Sequence, residues 1–106
     1  MVGLFRWARI ASLYGVLSTL WPSPVVELNR AVAVGMATGP ATGLEILDRV
    51  RSTHTLTGYP QLAAVRGDLL ARLDRAAEAR AEFEQAAQLT NNARERAVFL
   101  GRAAQL

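Results

Sequence analysis

The chain has 106 residues, of which 51% are apolar, so its length and composition predict one small domain with a buried core. It contains no cysteine, which excludes a disulfide framework and a thiolate metal site and favours a reducing, cytoplasmic setting. Its twelve basic residues are all arginine, and nine carboxylates leave a net charge of +3. Because the arginines are interspersed with carboxylates, we expect solvated helix faces rather than a nucleic-acid interface.

An apolar stripe over residues 4–21 predicts the first helix. Its large side chains recur every three or four residues and are Leu4, Trp7, Ile10, Tyr14, Leu17 and Trp21. The weakly charged run over residues 10–26 is interrupted by two prolines, so it is too short and too broken to span a membrane. The N-terminus also lacks the basic segment and apolar core of an export signal.

Proline and glycine mark the limits of a second and a third helix within residues 24–51. Ser23 is a favourable N-cap, and Pro24 suits the first helical position, where its missing N–H costs nothing. Gly39 and Pro40 end the second helix, because glycine suits a C-cap and proline cannot continue the hydrogen-bond ladder. Pro40 can then begin the third helix.

The second half of the chain predicts three further helices. Residues 52–59 are polar and predict a loop. Residues 60–90 carry two apolar patterns of helical period, joined by a tight turn. Asn92 and Glu95 resemble a capping box at the start of a sixth helix over residues 93–105, with the Asn side chain capping and Glu95 reaching back.

Side-chain spacing predicts the buried face of the later helices. The fifth helix should bury Ala79, Phe83, Ala86 and Ala87. The sixth should bury Ala97, Leu100 and Ala104. On the third helix, Glu45 and Arg49 are spaced to form an i,i+4 ion pair.

Six helices with short connections predict an all-α fold in which successive helices pack antiparallel. We expect a single helical-repeat domain over residues 1–106. Its parts are a capping helix (4–21), a degenerate repeat (24–51), a better repeat (60–90) and a C-terminal capping helix (93–105).

The sequence repeats itself after a shift of 36 residues. LNRAVAV then lies over AVRGDLL, and ATGLEILDRV lies over AEARAEFEQA. A repeated helical pair of this length is typical of the tetratricopeptide repeat. The second copy matches that pattern at Gly67, Leu70, Ala79, Phe83 and Ala86. Its small residues should let the two helices approach closely, with Phe83 filling the remaining space.

Arg30 and Arg66 occupy the same position in the repeat. Recurrence favours a scaffold role, in which a partly buried arginine pairs with a carboxylate or a helix-end carbonyl. Asn29 has no such counterpart, because Val65 lies opposite it. We therefore take Asn29, Arg30 and Arg66 as candidate protein-interaction residues, with Asn29 the most informative of the three.

No catalytic, cofactor or metal site is expected. His54 is the sole histidine and lies in a polar loop, so it lacks the partners of a metal site or a catalytic triad. Glu78 and Glu82 share a helix face, but an exposed helix surface does not form a catalytic pocket. We therefore do not expect an enzyme.

Six stretches occur in a fixed order along the chain. They are WxxIxxLY (Trp7–Tyr14), SPVVxLNRAVAV (Ser23–Val34), GPAxGL (Gly39–Leu44), RGDLLARL (Arg66–Leu73), EARA (Glu78–Ala81) and ERxxxL (Glu95–Leu100). Together they resemble the tetratricopeptide-like C-terminal extension of a subgroup of bacterial extracytoplasmic-function RNA polymerase sigma factors. The resemblance covers nearly the whole chain, and SPVVxLNRAVAV is its most specific part. One departure is Asp74, where the resembled pattern favours glycine.

The resemblance implies a cytoplasmic regulatory domain in transcription initiation. Its partners would be RNA polymerase, sigma-factor domains or a regulatory protein. The promoter-recognition modules of a sigma factor are not found in these 106 residues. Sigma activity and direct DNA contact by this chain alone are therefore not expected.

Two other hypotheses stay open at this point. A nucleic-acid-binding domain would need one uncompensated arginine stripe, and a steep salt dependence would follow. The arginines concerned are Arg30, Arg66, Arg72, Arg75 and Arg80. A small-ligand-binding domain would need a pocket near Trp7, Tyr14 and Trp21, although core and cap packing is the preferred explanation of these aromatic residues. The aromatic first helix is also compatible with a homodimer.

Overall fold

All six predicted helices are present in the computed structural model, which describes residues 2–106 except for the side chains of Val2 and Leu4. The helices are α1 (Val2–Leu20), α2 (Pro24–Ala37), α3 (Pro40–Ser52), α4 (Pro60–Arg72), α5 (Ala76–Leu89) and α6 (Ala93–Ala104). Residues 2–106 contain no strand. The all-α prediction is therefore confirmed, while the place of Leu4 in the predicted stripe lies outside the described side chains.

Proline begins three of the helices, and the predicted starts at Pro24 and Pro40 are confirmed. Pro24, Pro40 and Pro60 occupy the first positions of α2, α3 and α4. A backbone N–H at a first position has no intrahelical acceptor, so its absence in proline costs no hydrogen bond. Ser23 is the N-cap residue of α2, but its side chain makes no capping hydrogen bond. Gly39 separates α2 from α3 with φ +143°, a conformation that residues with a side chain rarely adopt.

The start of α6 confirms half of the predicted capping box. The Asn92 side-chain oxygen accepts a hydrogen bond from the Glu95 N–H at 2.9 Å. The Glu95 carboxylate instead accepts from the Thr90 hydroxyl at 2.7 Å, and this hydroxyl accepts from the Asn92 N–H at 3.1 Å. Thr90 is buried, so its hydroxyl needs partners and lies between the two groups that the capping box would join directly.

The chain divides into two compact units, the first ending at Leu56 and the second running Thr57–Leu106. In the first unit, α2 packs against both α1 and α3. Its buried apolar residues are Leu28, Ala31, Ala33, Leu44, Ile46, Leu47 and Val50. In the second unit, α5 packs against both α4 and α6. Its buried apolar residues are Leu62, Ala63, Leu69, Leu70, Ala79, Phe83, Ala86, Ala87 and Ala103.

Each unit contains a helical pair that meets closely at a glycine. In the first unit, a Cβ added to Gly43 on α3 would lie 2.7 Å from the carbonyl oxygen of Ala31 on α2. In the second unit, a Cβ added to Gly67 on α4 would lie 3.1 Å from the Phe83 ring on α5. The 36-residue shift matches Ala31 with Gly67 and Gly43 with Ala79. The two pairs therefore place their glycine on opposite helices.

The predicted buried face is correct for α5 and wrong for α6. All four α5 residues are buried, whereas Ala97, Leu100 and Ala104 of α6 are exposed and Ala103 is buried instead. Arg96 supplies the reason. Its guanidinium donates to the carbonyl oxygens of Ala87 at 3.0 Å and Thr90 at 2.7 Å. Helix-end carbonyls need such donors, so the Arg96 side of α6 faces α5.

Candidate interaction surfaces

Asn29 and Arg30 lie side by side on α2 and have different surroundings. Leu28 and Ala31, which flank them, are buried. Asn29 is exposed and Arg30 is half-buried. Asn29 is therefore open to solvent, as a binding residue must be, while Arg30 belongs in part to the interior of the first unit.

The Arg30 guanidinium forms a two-point ion pair with Glu27, one turn earlier on α2. Its Nε lies 3.2 Å from Oε1 of Glu27, and its Nη2 lies 3.0 Å from Oε2. The Ser18 hydroxyl of α1 donates to the same carboxylate, so the group ties α1 to α2. The hydrogen bonds from Arg30, with that of Ser18 and the charges of Arg30 and Arg49, hold the pKa of Glu27 below its usual value, although burial acts to raise it.

Arg66 also forms an ion pair, but with a carboxylate on another helix. Its Nη1 lies 2.9 Å from Oε1 of Glu82 on α5, and the two side chains are 13% and 21% exposed. The 36-residue shift explains the change of partner, because it places Ala63 at the position of Glu27. Both arginines are thus paired, as expected of scaffold residues. A binding role for Asn29, Arg30 and Arg66 stays a prediction.

A cleft of about 430 Å³ opens in the first unit, between the end of α1, the start of α2 and the end of α3. It is lined by Ser18, Pro22, Ser23, Pro24, Glu27, Arg49, Val50, Thr53 and Thr55. Among residues 2–106, no carboxylate forms an ion pair with Arg49, so the predicted pair with Glu45 is not formed. Arg49 instead adds positive charge to the cleft near Glu27.

The second unit has a groove of about 500 Å³ between α5 and α6. It is lined by Arg80, Glu84, Ala87, Gln88, Arg96, Leu100, Ala103 and Ala104. The small-ligand hypothesis places its pocket near three aromatic residues, Trp7, Tyr14 and Trp21. Neither this groove nor the cleft of the first unit is lined by any of them.

Helix α1 is apolar on two faces, and only one of them packs against the protein. The inner face carries Trp7, Ile10, Tyr14 and Leu17, all half-buried. Trp21 does not continue this face as predicted, because α1 ends at Leu20 and the Trp21 side chain is 68% exposed. A helix that is apolar on two faces ordinarily has both of them covered.

We define the α1 outer surface as the exposed stripe formed by Phe5, Arg9, Leu13, Val16 and Leu20. Its four apolar side chains are 59–79% exposed. Successive residues of an α-helix are turned by about 100°, which places these five positions within a single arc of about 80°. The stripe is therefore a continuous apolar ridge along α1 with one arginine in it.

The charge of this surface is positive and unbalanced. Arg6 borders the stripe and Arg9 lies within it, and both are exposed. In the part of the chain that the structure describes, neither arginine forms an ion pair. The first carboxylate in the sequence is Glu27, which Arg30 already engages.

Residues 2–106 present neither a cluster of metal-ligating side chains nor a helix able to span a membrane. No group of three or more His, Cys, Asp and Glu side chains in that range is placed to hold a metal ion. None of the helices described for these residues is long and apolar enough to cross a membrane. His54 lies in the turn between α3 and α4 with φ +58°.

Comparison with known proteins places the chain beside an uncharacterized protein of Rhizobium meliloti (strain 1021). The two are 45% identical over 91 residues, which are 86% of this chain and 21% of that protein. The chain thus spans about a fifth of the length of this relative. No family model matches the chain. No solved structure matches it.

Proposed function

We propose that the chain is an accessory protein-interaction domain that tunes bacterial transcription initiation. It acts in the cytoplasm through contacts with RNA polymerase, sigma-factor domains or a regulatory protein. The place in transcription rests on the sigma-factor resemblance of six ordered sequence stretches, above all Ser23–Val34. The proposal that it binds protein rests on one observation, the α1 outer surface.

Exposure of the α1 outer surface supports an interaction function. A contiguous exposed apolar patch is typical of a surface that another protein covers. The paired helices of both units support the same view, because helical repeats commonly present extended surfaces to peptides and proteins. The Rhizobium relative is about four times as long as this chain. A domain of this kind can therefore stand within a longer polypeptide that offers neighbouring partners.

The arginine pairing speaks against the nucleic-acid hypothesis. Four of the five arginines that it requires form ion pairs with carboxylates. These pairs are Arg30–Glu27, Arg66–Glu82, Arg72–Asp68 and Arg75–Glu78. The fifth, Arg80, donates to the Leu106 carbonyl oxygen. Phosphate binding would have to compete with these pairs, so protein binding is the better-supported function.

A pull-down tests the proposed function. The purified chain is immobilised and offered core RNA polymerase and, separately, a promoter-recognition sigma fragment, each at low and moderate salt. We expect stoichiometric binding to one bait that persists at moderate salt, because apolar contact supplies most of the affinity. Binding to neither bait would contradict a direct role in transcription initiation.

Matched variants show whether the α1 outer surface is responsible. Val16→Ser should weaken capture of the bait, whereas Val98→Ser on α6 should not. The two valines are 59% and 57% exposed and both lie within helices, so their substitutions should perturb folding equally. If both variants capture the bait equally well, the α1 outer surface is not the surface that binds it.

A further inference from the structure

We propose that the α1 outer surface receives an amphipathic helix whose apolar stripe is flanked by carboxylates. This inference rests on the proposed function and adds the chemistry of the partner at that surface. It is carried by the shape of the stripe, by the absence of backbone partners on it and by the charge of Arg6 and Arg9.

The shape of the stripe fits another helix. From Phe5 to Leu20 the ridge is about 22 Å long, since an α-helix rises about 1.5 Å per residue. Rows of side chains three and four residues apart on one helix pack into the grooves of a second. An extended peptide would fit less well, because it binds through backbone hydrogen bonds. The backbone N–H and C=O groups in the interior of α1 already bond to each other and cannot supply them.

The charge of the stripe selects an acidic helix. Arg9 would be covered by any partner that buries Leu13 and Val16, and Arg6 would lie at the rim. A carboxylate on the partner would pair with these guanidinium groups, whereas a lysine there would add like charge. Covering Arg9 with apolar atoms alone would remove its water without replacing the lost hydrogen bonds.

The same charge argues against a second copy of this chain. A symmetric pair of α1 outer surfaces would bring Arg6 and Arg9 of both copies to one interface. Residues 1–26 contain no Asp or Glu to offset the four positive charges. The homodimer that the aromatic first helix suggests is therefore the weaker alternative at this surface.

Two synthetic peptides test the partner chemistry with the full chain. Both carry the same apolar residues at helical spacing in an alanine-rich background, and their flanking positions are all Glu in one and all Lys in the other. We expect the Glu peptide to bind about tenfold more tightly by fluorescence anisotropy, since each of two exposed ion pairs, to Arg6 and to Arg9, contributes up to about a fivefold effect. Added salt should narrow the difference because it screens the charges.

Charge reversal and a matched pair of valine variants locate the binding. Arg6→Glu combined with Arg9→Glu should reverse the preference between the peptides. Val16→Ser should lower the affinity for both peptides about tenfold, and Val98→Ser should lower the affinity for neither. Circular dichroism should show unchanged helix content in every variant, because all these side chains are exposed.

The outcomes separate this inference from the proposed function. Equal binding of the peptides, preference for the Lys peptide, or failure of both to bind overturns the acidic-helix inference. Sedimentation showing a dimer that Val16→Ser abolishes also overturns it, because a second copy then covers the stripe. If the pull-down still depends on Val16 in any of these cases, the proposed function stands without the partner chemistry.

Discussion

At the scale of single residues, Asp74 holds a left-handed backbone conformation that glycine would adopt more easily. It takes φ +59° between α4 and α5, where the Arg75 N–H donates to the Leu70 carbonyl oxygen at 3.0 Å and closes the turn. A side chain there costs about 1 kcal/mol, part of which glycine loses again as extra entropy of the unfolded chain. Asp74→Gly should therefore raise the free energy of unfolding by about 0.5 kcal/mol, measured by urea denaturation.

A helix-interior control makes this prediction specific to the turn. Glu84 is exposed on α5, and Glu84→Gly should lower the free energy of unfolding by about 1 kcal/mol. Both variants replace a carboxylate with glycine, so their opposite signs isolate the backbone conformation. If Asp74→Gly instead lowers the free energy of unfolding, the Asp74 side chain itself stabilises the turn.

Glu27 makes stability depend on pH in a predictable direction. Its pKa in the folded protein lies below the ordinary value of 4.5, chiefly because Arg30 donates hydrogen bonds to the ionised carboxylate. A lowered pKa stabilises the fold above the unfolded pKa, and this contribution is lost as pH falls through the folded pKa. The stability difference between the natural chain and Glu27→Gln should therefore be full at neutral pH and shrink below pH 4.5.

Urea denaturation at a series of pH values checks the Glu27 prediction. Glu84→Gln provides the control, because Glu84 is exposed and no ion pair joins it to another residue among those described. That variant should show no comparable dependence on pH. A Glu27→Gln difference that stays constant into the acid range would mean that the Arg30–Glu27 pair does not stabilise the fold.

At the scale of elements, the distance between α2 and α3 is set by Gly43. A methyl group there would meet the Ala31 carbonyl oxygen at 2.7 Å and the Gly35 Cα at 3.0 Å, and these backbone atoms of α2 cannot move aside as a flexible side chain could. Gly43→Ala should lower the free energy of unfolding by about 2 kcal/mol because the helices must separate. Gly101→Ala on α6 should raise it by about 0.5–1 kcal/mol, since nothing lies within 4 Å of the added Cβ. Equal effects in thermal or urea unfolding would refute a tight contact at Gly43.

Helix limits and the face of α5 could be predicted from the sequence, whereas the face of α6 could not. Proline and glycine act on their own backbone, so they mark helix ends without reference to the rest of the fold. The α5 pattern contains one apolar face only. On α6 the deciding contact is a hydrogen bond from a polar residue, Arg96, to carbonyls of α5, and apolar periodicity carries no information about it.

The α1 outer surface could not be predicted from the sequence, for a different reason. On α1 both the inner and the outer faces carry apolar residues at helical spacing, so periodicity cannot say which face is covered. Packing of α1 against α2 decides this. The arginine pairs were partly predictable, because the 36-residue repeat places Arg30 and Arg66 in equivalent positions. Their partners differ because Ala63 is the residue equivalent to Glu27 in the second copy of the repeat, and alanine has no carboxylate to pair with Arg66.

At the scale of the whole chain, the exposed face of α1 differs from that of an ordinary capping helix. A capping helix of a helical repeat normally turns a polar face to solvent, which stops further association. The outer surface of α1 is apolar except for one arginine, so the capping role of α1 stays a prediction. This difference from a capping helix favours an interface at α1, and the proposed interaction then lies at one end of the first unit rather than on Asn29 alone.

The charge balance of the whole chain limits how it can bind nucleic acid. Each neutralised phosphate steepens the dependence of log affinity on log salt by about 0.9. With a net charge of +3 and four candidate arginines already paired, the slope for duplex DNA should be no steeper than about −3. Anisotropy of a labelled duplex across a salt series measures this slope.

A double variant, Asp68→Asn with Glu78→Gln, should steepen the slope by releasing Arg72 and Arg75 from their carboxylates. A slope near −6 in the natural chain would mean that the arginines leave their partners for phosphate, and the nucleic-acid hypothesis would then displace protein binding.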